Sequence, residues 1–282
     1  MTQTRGFKIV KYVGLGMGLL LSYGLVSGWN SSPSQDIFQA SEARNISLVR
    51  QLISQGADVN QRTAQGATPL HFAARLGQIP LTQLLLEQGA DIHATYQSTW
   101  TPLHLAAKGG HVDVAKLLLE YGATINGTEN TAAPLHIAVQ EGHQRMVAFL
   151  LANGATAHTP FTEGWTALHV AAQAGDADLT RLLLDAGAPI DATNAIGMTP
   201  LHSAALSGQV NVTEYLLSRG ATCSTPTQSV QHIETKTIKM VVKALEEILQ
   251  HCPFPKTHKS KNSGIPSRHS RHEPPSRHSR HL

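Results

Sequence analysis

The chain has 282 residues, 5 % aromatic and 15 % charged, with a formal net charge of +3 that its two ends supply. Residues 1–35 hold +3 and residues 254–282 hold +6, which leaves 36–253 at −6. A mildly acidic body lacks the basic face that nucleic-acid binding needs, and two cysteines, Cys223 and Cys252, cannot build a disulfide framework; two idle thiols are expected, with a single bridge as the alternative.

At the N-terminus, Arg5, Lys8 and Lys11 precede an apolar run from Tyr12 to Val26, and Asn30-Ser31-Ser32-Pro33-Ser34-Gln35 follows. A positive region, an apolar region and a small-residue stretch in that order read as an export signal. The run is 15 residues long and contains Gly14, Gly16, Gly18 and Gly24. A membrane-spanning helix needs about 20 apolar residues. Cleavage after Gly28 is therefore expected, giving a secreted or periplasmic chain. The alternative is an uncleaved anchor, with membrane association through residues 10–29 and the rest outside the cytoplasm. Residues 29–35 are a linker.

From residue 36 onward one pattern returns. It reads Thr68-Pro69-Leu70-His71, Thr101-Pro102-Leu103-His104, Ala133-Pro134-Leu135-His136, Thr166-Ala167-Leu168-His169 and Thr199-Pro200-Leu201-His202. The histidines are 33, 32, 33 and 33 residues apart, and Gly56, Gly89, Gly122, Gly154, Gly187 and Gly220 keep the same beat. In the unit that begins at Thr101, the threonine is placed to cap a helix through its side-chain oxygen. Pro102 takes the first helical position, where its missing N–H does no harm. Small Ala106 and Ala107 allow close helix packing, and Gly110 ends this first helix. Val114, Leu117, Leu118 and Leu119 give a second helix its buried stripe. Gly122 then ends that helix.

This motif at this period resembles the ankyrin repeat family over residues 36–221, about six repeats with the first acting as a cap. The resemblance implies an all-α repeat solenoid of stacked helix-turn-helix units, with β-hairpin loops projecting from them. It also implies protein partners held on the hairpin tips and the concave face of inner helices. Asp36 to Ala57 match the repeat without its Thr-Pro opening, and Arg44 stands where a glycine would fall.

Sixteen histidines invite a metal or acid–base reading, but five of them occupy one repeat position and should be spread along the stack. Convergence of four on one ion is then excluded. The resemblance makes them structural, bridging neighbouring loops, and His111 and His143 sit at the turn between paired helices. No nucleophile motif, phosphate loop or metal constellation appears. No catalytic, cofactor-binding or metal-ligating residue is expected, and the chain is not expected to be an enzyme.

The variable tips are the informative positions. Tyr96 and Trp100, Phe161 and Trp165, and Ile196 and Met198 would put aromatic and apolar groups on exposed loops. Such groups on a rigid scaffold are the material of interface hot spots. They are the candidate partner-binding residues; the alternative is that they pack on their neighbours. The third loop departs from the pattern. Gly122 to His136 spans 14 residues where the other intervals span 15, the tip glycine is missing, and Ala133 replaces the capping threonine. A local distortion is expected over 123–133.

Residues 222–253 have lost the motif but keep a helical stripe of Ile238, Val241, Val242, Leu245, Ile248 and Leu249. A degenerate C-terminal cap is expected, with an amphipathic membrane or partner helix as the alternative. In 254–282, Pro266-Ser267-Arg268-His269-Ser270-Arg271-His272 is repeated from Pro275 to His281. This basic tail has too little apolar surface to fold and is expected to be disordered. The sequence thus predicts a monomeric, non-enzymatic protein-interaction module with an unknown protein partner.

Overall fold

The computed structural model describes residues 33–222, except Ser98 and residues 128–130. Among the described residues twelve α-helices run in pairs: α1 (Pro33–Glu42) with α2 (Ile46–Ser54), α3 (Pro69–Arg75) with α4 (Ile79–Glu87), α5 (Pro102–Gly109) with α6 (Val112–Glu120), α7 (Pro134–Gln140) with α8 (Gln144–Ala152), α9 (Ala167–Ala174) with α10 (Ala177–Asp185), and α11 (Pro200–Leu206) with α12 (Val210–Ser218). Odd-numbered helices pack on one another in series as an inner layer, and even-numbered helices form the outer layer. This is an all-helical repeat solenoid. Helix α1 starts at Pro33, inside the stretch read as linker, because proline suits a first helical turn.

The core is a column of repeated side chains. Leu70, Leu103, Leu135, Leu168 and Leu201 of the inner helices are fully buried. They face Leu85, Leu118, Leu150, Leu183 and Leu216 of the outer ones. Ala73, Ala106, Ala138, Ala171 and Ala204 are also sealed, and their small side chains permit close approach of successive inner helices.

Between units, the loops close as single-rung hairpins and not as strands; the one β-bridge among the described residues joins Tyr96 and Trp100. The closing bonds are Thr63 N–H to Ala67 O (2.9 Å), Tyr96 to Trp100 (2.8 Å), Phe161 to Trp165 (2.8 Å) and Asn194 to Met198 (3.0 Å). Residues 128–130, at the centre of the distortion expected in the third loop, lie outside the described residues. Beyond them the register has recovered: Ala133 is extended, at φ −74° and ψ 162°, and α7 begins normally.

The N-terminal signal or anchor, the cap at 223–253, the basic tail and both cysteines also lie outside the described residues. Among the described residues, no helix is long and apolar enough to cross a membrane.

Candidate interaction surface

The tips are held from beneath by the motif histidines. His71 Nε2 lies 3.0 Å from the carbonyl of Trp100. A carbonyl only accepts, so Nε2 carries the proton and Nδ1 is the acceptor. His71 Nδ1 receives the Thr68 backbone N–H at 3.1 Å and the Thr68 hydroxyl at 2.8 Å. The arrangement recurs at His104, which bonds Ala132 O at 2.9 Å, and at His169, which bonds Met198 O at 2.9 Å. His136 differs in donating to Thr159 O, at 2.9 Å. Because His104 still reaches the residue just before the cap, the one-residue deletion in the third loop is absorbed upstream of Ala132.

Thr101 opens α5 in a capping box with His104, as expected, and its hydroxyl donates to His104 Nδ1 at 2.7 Å. The oxygen can accept while its O–H donates: Thr166 and Thr199 make the same bond to imidazole and also accept the His169 and His202 N–H groups at 3.5 Å. Ala133 has no hydroxyl, so His136 keeps only the backbone bond, 3.0 Å from Ala133 N. Burial pushes His71, His104 and His136 down to about 4, against the opposing pull of their carbonyl bonds, and pushes His169 down as well. They are neutral struts at neutral pH. No group of His, Cys, Asp or Glu among the described residues could hold a metal ion.

A second set of struts joins the turns between paired helices. Gln78 Nε2 donates to Ser41 O (2.9 Å), His111 Nε2 to Arg75 O (3.0 Å), His143 Nε2 to Lys108 O (2.9 Å) and Gln209 Nε2 to Gln173 O (3.3 Å). Asp176 occupies the same position and has nothing to donate. Its carboxylate instead caps α10, accepting the Leu179 N–H at 2.9 Å. A Cβ placed on Gly142, beneath it, would meet nothing within 4 Å, whereas one on Gly77 would lie 2.6 Å from the His111 ring. Across the junction between the α7–α8 and α9–α10 units, Asp176 Oδ1 instead accepts Gln144 Nε2 at 3.5 Å, and the strut to the inner-helix carbonyl is missing.

The six candidate contact residues are distributed unequally. Tyr96 is only 7 % exposed, and its ring meets His71 edge-on at 6.3 Å. It supports the tip and presents little surface, contrary to the exposure expected of it. Trp100 remains half-buried, 6.1 Å from the His104 ring, with Lys108 Nζ 5.5 Å from its centroid. Phe161 stacks obliquely on His136 at 4.6 Å and Trp165 on His169 at 5.5 Å, both half-buried. Ile196 is 37 % exposed and Met198 half-buried. Trp100 and Tyr96 share one cluster with Phe38, Phe72 and Ala67; Phe161, Trp165, Ile196 and Met198 lie further along the stack.

Two features of this surface have no simple sequence signal. One is the addition of Phe38 and Phe72 from the inner helices, 5.8 Å apart, with Arg75 over Phe72 at 5.8 Å. The other is backbone pairing between neighbouring tips: Gln97 N–H to Gln65 O at 3.1 Å and Ala195 N–H to Glu163 O at 2.8 Å. That pairing needs glycine beneath it. A Cβ on Gly66 would sit 3.0 Å from Thr95 O, and one on Gly164 3.1 Å from Asn194 Cα. The tip glycines were the only visible trace of it in the sequence.

The family model described as ankyrin repeats matches residues 34–96, 88–160 and 135–227. The chain matches no curated protein.

Proposed function

Because the chain belongs to the ankyrin repeat family, whose arrays are protein–protein interaction scaffolds, we propose that it docks a protein partner across its hairpin tips and the adjoining face of the inner helices. Trp100, Phe161, Trp165, Ile196 and Met198 make the contact, and Tyr96 holds the first aromatic tip in place. The observation that carries this reading is the seating of half-buried aromatic rings on a row of buried, neutral histidines. Rigid amphipathic side chains lose little entropy on binding and can bury large areas. The array is non-enzymatic in this reading, and it acts as a monomer outside the cytoplasm, as the N-terminal pattern suggests.

Affinity capture tests the reading. The full chain is used as bait beside a Trp100→Ala, Phe161→Ala, Trp165→Ala variant whose fold is checked by circular dichroism. A protein held by the first and lost by the second supports it; equal capture by both removes the tips from the site. N-terminal sequencing of the chain purified from its source tests export. A start near Trp29 supports release from the membrane, and an intact Met1 contradicts it.

A further inference from the structure

Two tryptophans stand at one repeat position, and they are held differently. Trp100 and Trp165 each precede the threonine that opens an inner helix, and each lies against the motif histidine of that helix, His104 and His169. Trp100 has a further contact. Lys108, near the end of α5, places Nζ 5.5 Å from the centroid of the indole. The same Nζ lies 3.4 Å from Oε1 of Glu141, just past α7 in the next unit. Gln173 occupies the place of Lys108 in the α9 unit, and no cation among the described residues lies over Trp165.

The lysine is fixed at both of its ends. Its backbone carbonyl accepts the His143 Nε2–H at 2.9 Å, and its side chain is only 17 % exposed. The ammonium sits between a carboxylate and a π face, and both attract it. Trp100 thereby draws on three units. Its carbonyl accepts the His71 Nε2–H of the preceding unit at 3.0 Å, His104 and Lys108 of its own unit meet its ring, and Glu141 of the following unit anchors the lysine. The α3 unit holds a relative of this device: Arg75 lies 5.8 Å from the Phe72 ring centroid and 3.3 Å from Glu42 Oε1. There the carboxylate comes from the preceding unit.

We propose that Lys108 is a positioning residue for the interaction surface: it fixes the Trp100 indole before a partner arrives, while Trp165 stays free to adjust to one. The inference rests on the reading of Trp100 as a contact residue. A half-buried side chain without such a restraint keeps several rotamers open, and binding must give them up. Trp100 has given them up already, because the groups that lock its ring are themselves locked. The two tips therefore differ in kind, with a preformed anchor at Trp100 and an adaptable contact at Trp165.

Time-resolved fluorescence anisotropy on the full chain tests it. One form keeps only Trp100 (Trp29→Phe, Trp165→Phe) and the other only Trp165 (Trp29→Phe, Trp100→Phe). Lys108→Gln gives the α5 unit the residue that the α7 and α9 units carry at 140 and 173, so the stack stays folded. In the Trp100 form it should raise the amplitude of the sub-nanosecond decay, which reports ring motion, by about twofold or more. Lys108→Arg should keep that amplitude low, as Arg75 serves Phe72. In the Trp165 form neither substitution should change it. An amplitude unmoved by Lys108→Gln, one that rises equally in both forms, or one that Lys108→Arg fails to hold down would overturn the proposal. Affinity capture separates it from the surface reading on which it rests. A partner lost by Trp100→Ala should be held about threefold less by Lys108→Gln and fully by Lys108→Arg. A partner that needs Trp100 yet ignores Lys108→Gln overturns the proposal alone; one indifferent to Trp100→Ala removes the surface reading and the binding role of Lys108 together.

Discussion

A buried histidine is stable only while it is neutral, and this array stacks several in a row. In the folded chain His71, His104 and His136 titrate at about 4, and in the unfolded chain near the ordinary 6.5. As pH falls, the unfolded state takes up protons first. The histidine contribution is therefore complete above pH 6.5 and is lost progressively down to about pH 4. Near pH 5 the unfolded chain should bind roughly three more protons from these residues alone, a slope of about 4 kcal/mol per pH unit. Urea unfolding between pH 5 and 7 measures this; a flat profile would contradict the strut assignment. Ala133 offers a complementary test. Ala133→Thr supplies the hydroxyl that the other caps place on Nδ1, and should raise stability by about 1 kcal/mol. The period of the histidines showed that they do not converge on one point, and the family resemblance implied their bridging role. Their tautomer, and the bond from the capping hydroxyl to the imidazole, depend on atomic distances that a sequence does not carry.

Each helix pair is a near copy of the next, so the exceptions locate its weak points. Asp176 breaks the row of donors formed by Gln78, His111, His143 and Gln209. Asp176→Gln should reach the preceding unit over the open space at Gly142 and tighten that junction. Slower hydrogen exchange in α7 and α9 would show it, even where the lost α10 cap offsets the gain in global stability. A tip glycine and a helix-ending glycine divide in the same way. Gly164 and Gly154 both have positive φ, at +75° and +94°, but only Gly164 has a neighbouring backbone within contact of a Cβ. Gly164→Ala should cost more stability than Gly154→Ala, by about 1 kcal/mol or more, because strain is common to both and overlap is not. Equal costs in urea unfolding would mean that the tips do not press together. Helix positions were legible because Thr-Pro starts and glycine ends are local signals. The pairing of Gln97 with Gln65 and of Ala195 with Glu163 was not, because it joins residues about 32 apart through backbone atoms alone.

For the whole molecule, the period alone yields a stack of layers, and the structure adds which face the layers leave open. Sequence reasoning placed six residues on exposed tips, yet Tyr96 is packed against His71, because a ring beside a histidine gains more from stacking than from water. Trp100, Phe161 and Trp165 are anchored on one side and open on the other. In the proposed function they form the apolar contact surface, on a body whose ion pairs among the described residues are partly exposed, such as Lys108 with Glu141 and Arg219 with Asp185. Binding should therefore depend on shape and apolar contact more than on charge. The most direct test is the affinity of the captured partner for the wild-type chain and for Trp100→Ala/Trp165→Ala, each at low and high salt. The account predicts a loss of about tenfold or more on substitution, with little dependence on salt. An affinity that survives the substitution, or one that collapses with salt alone, would contradict it.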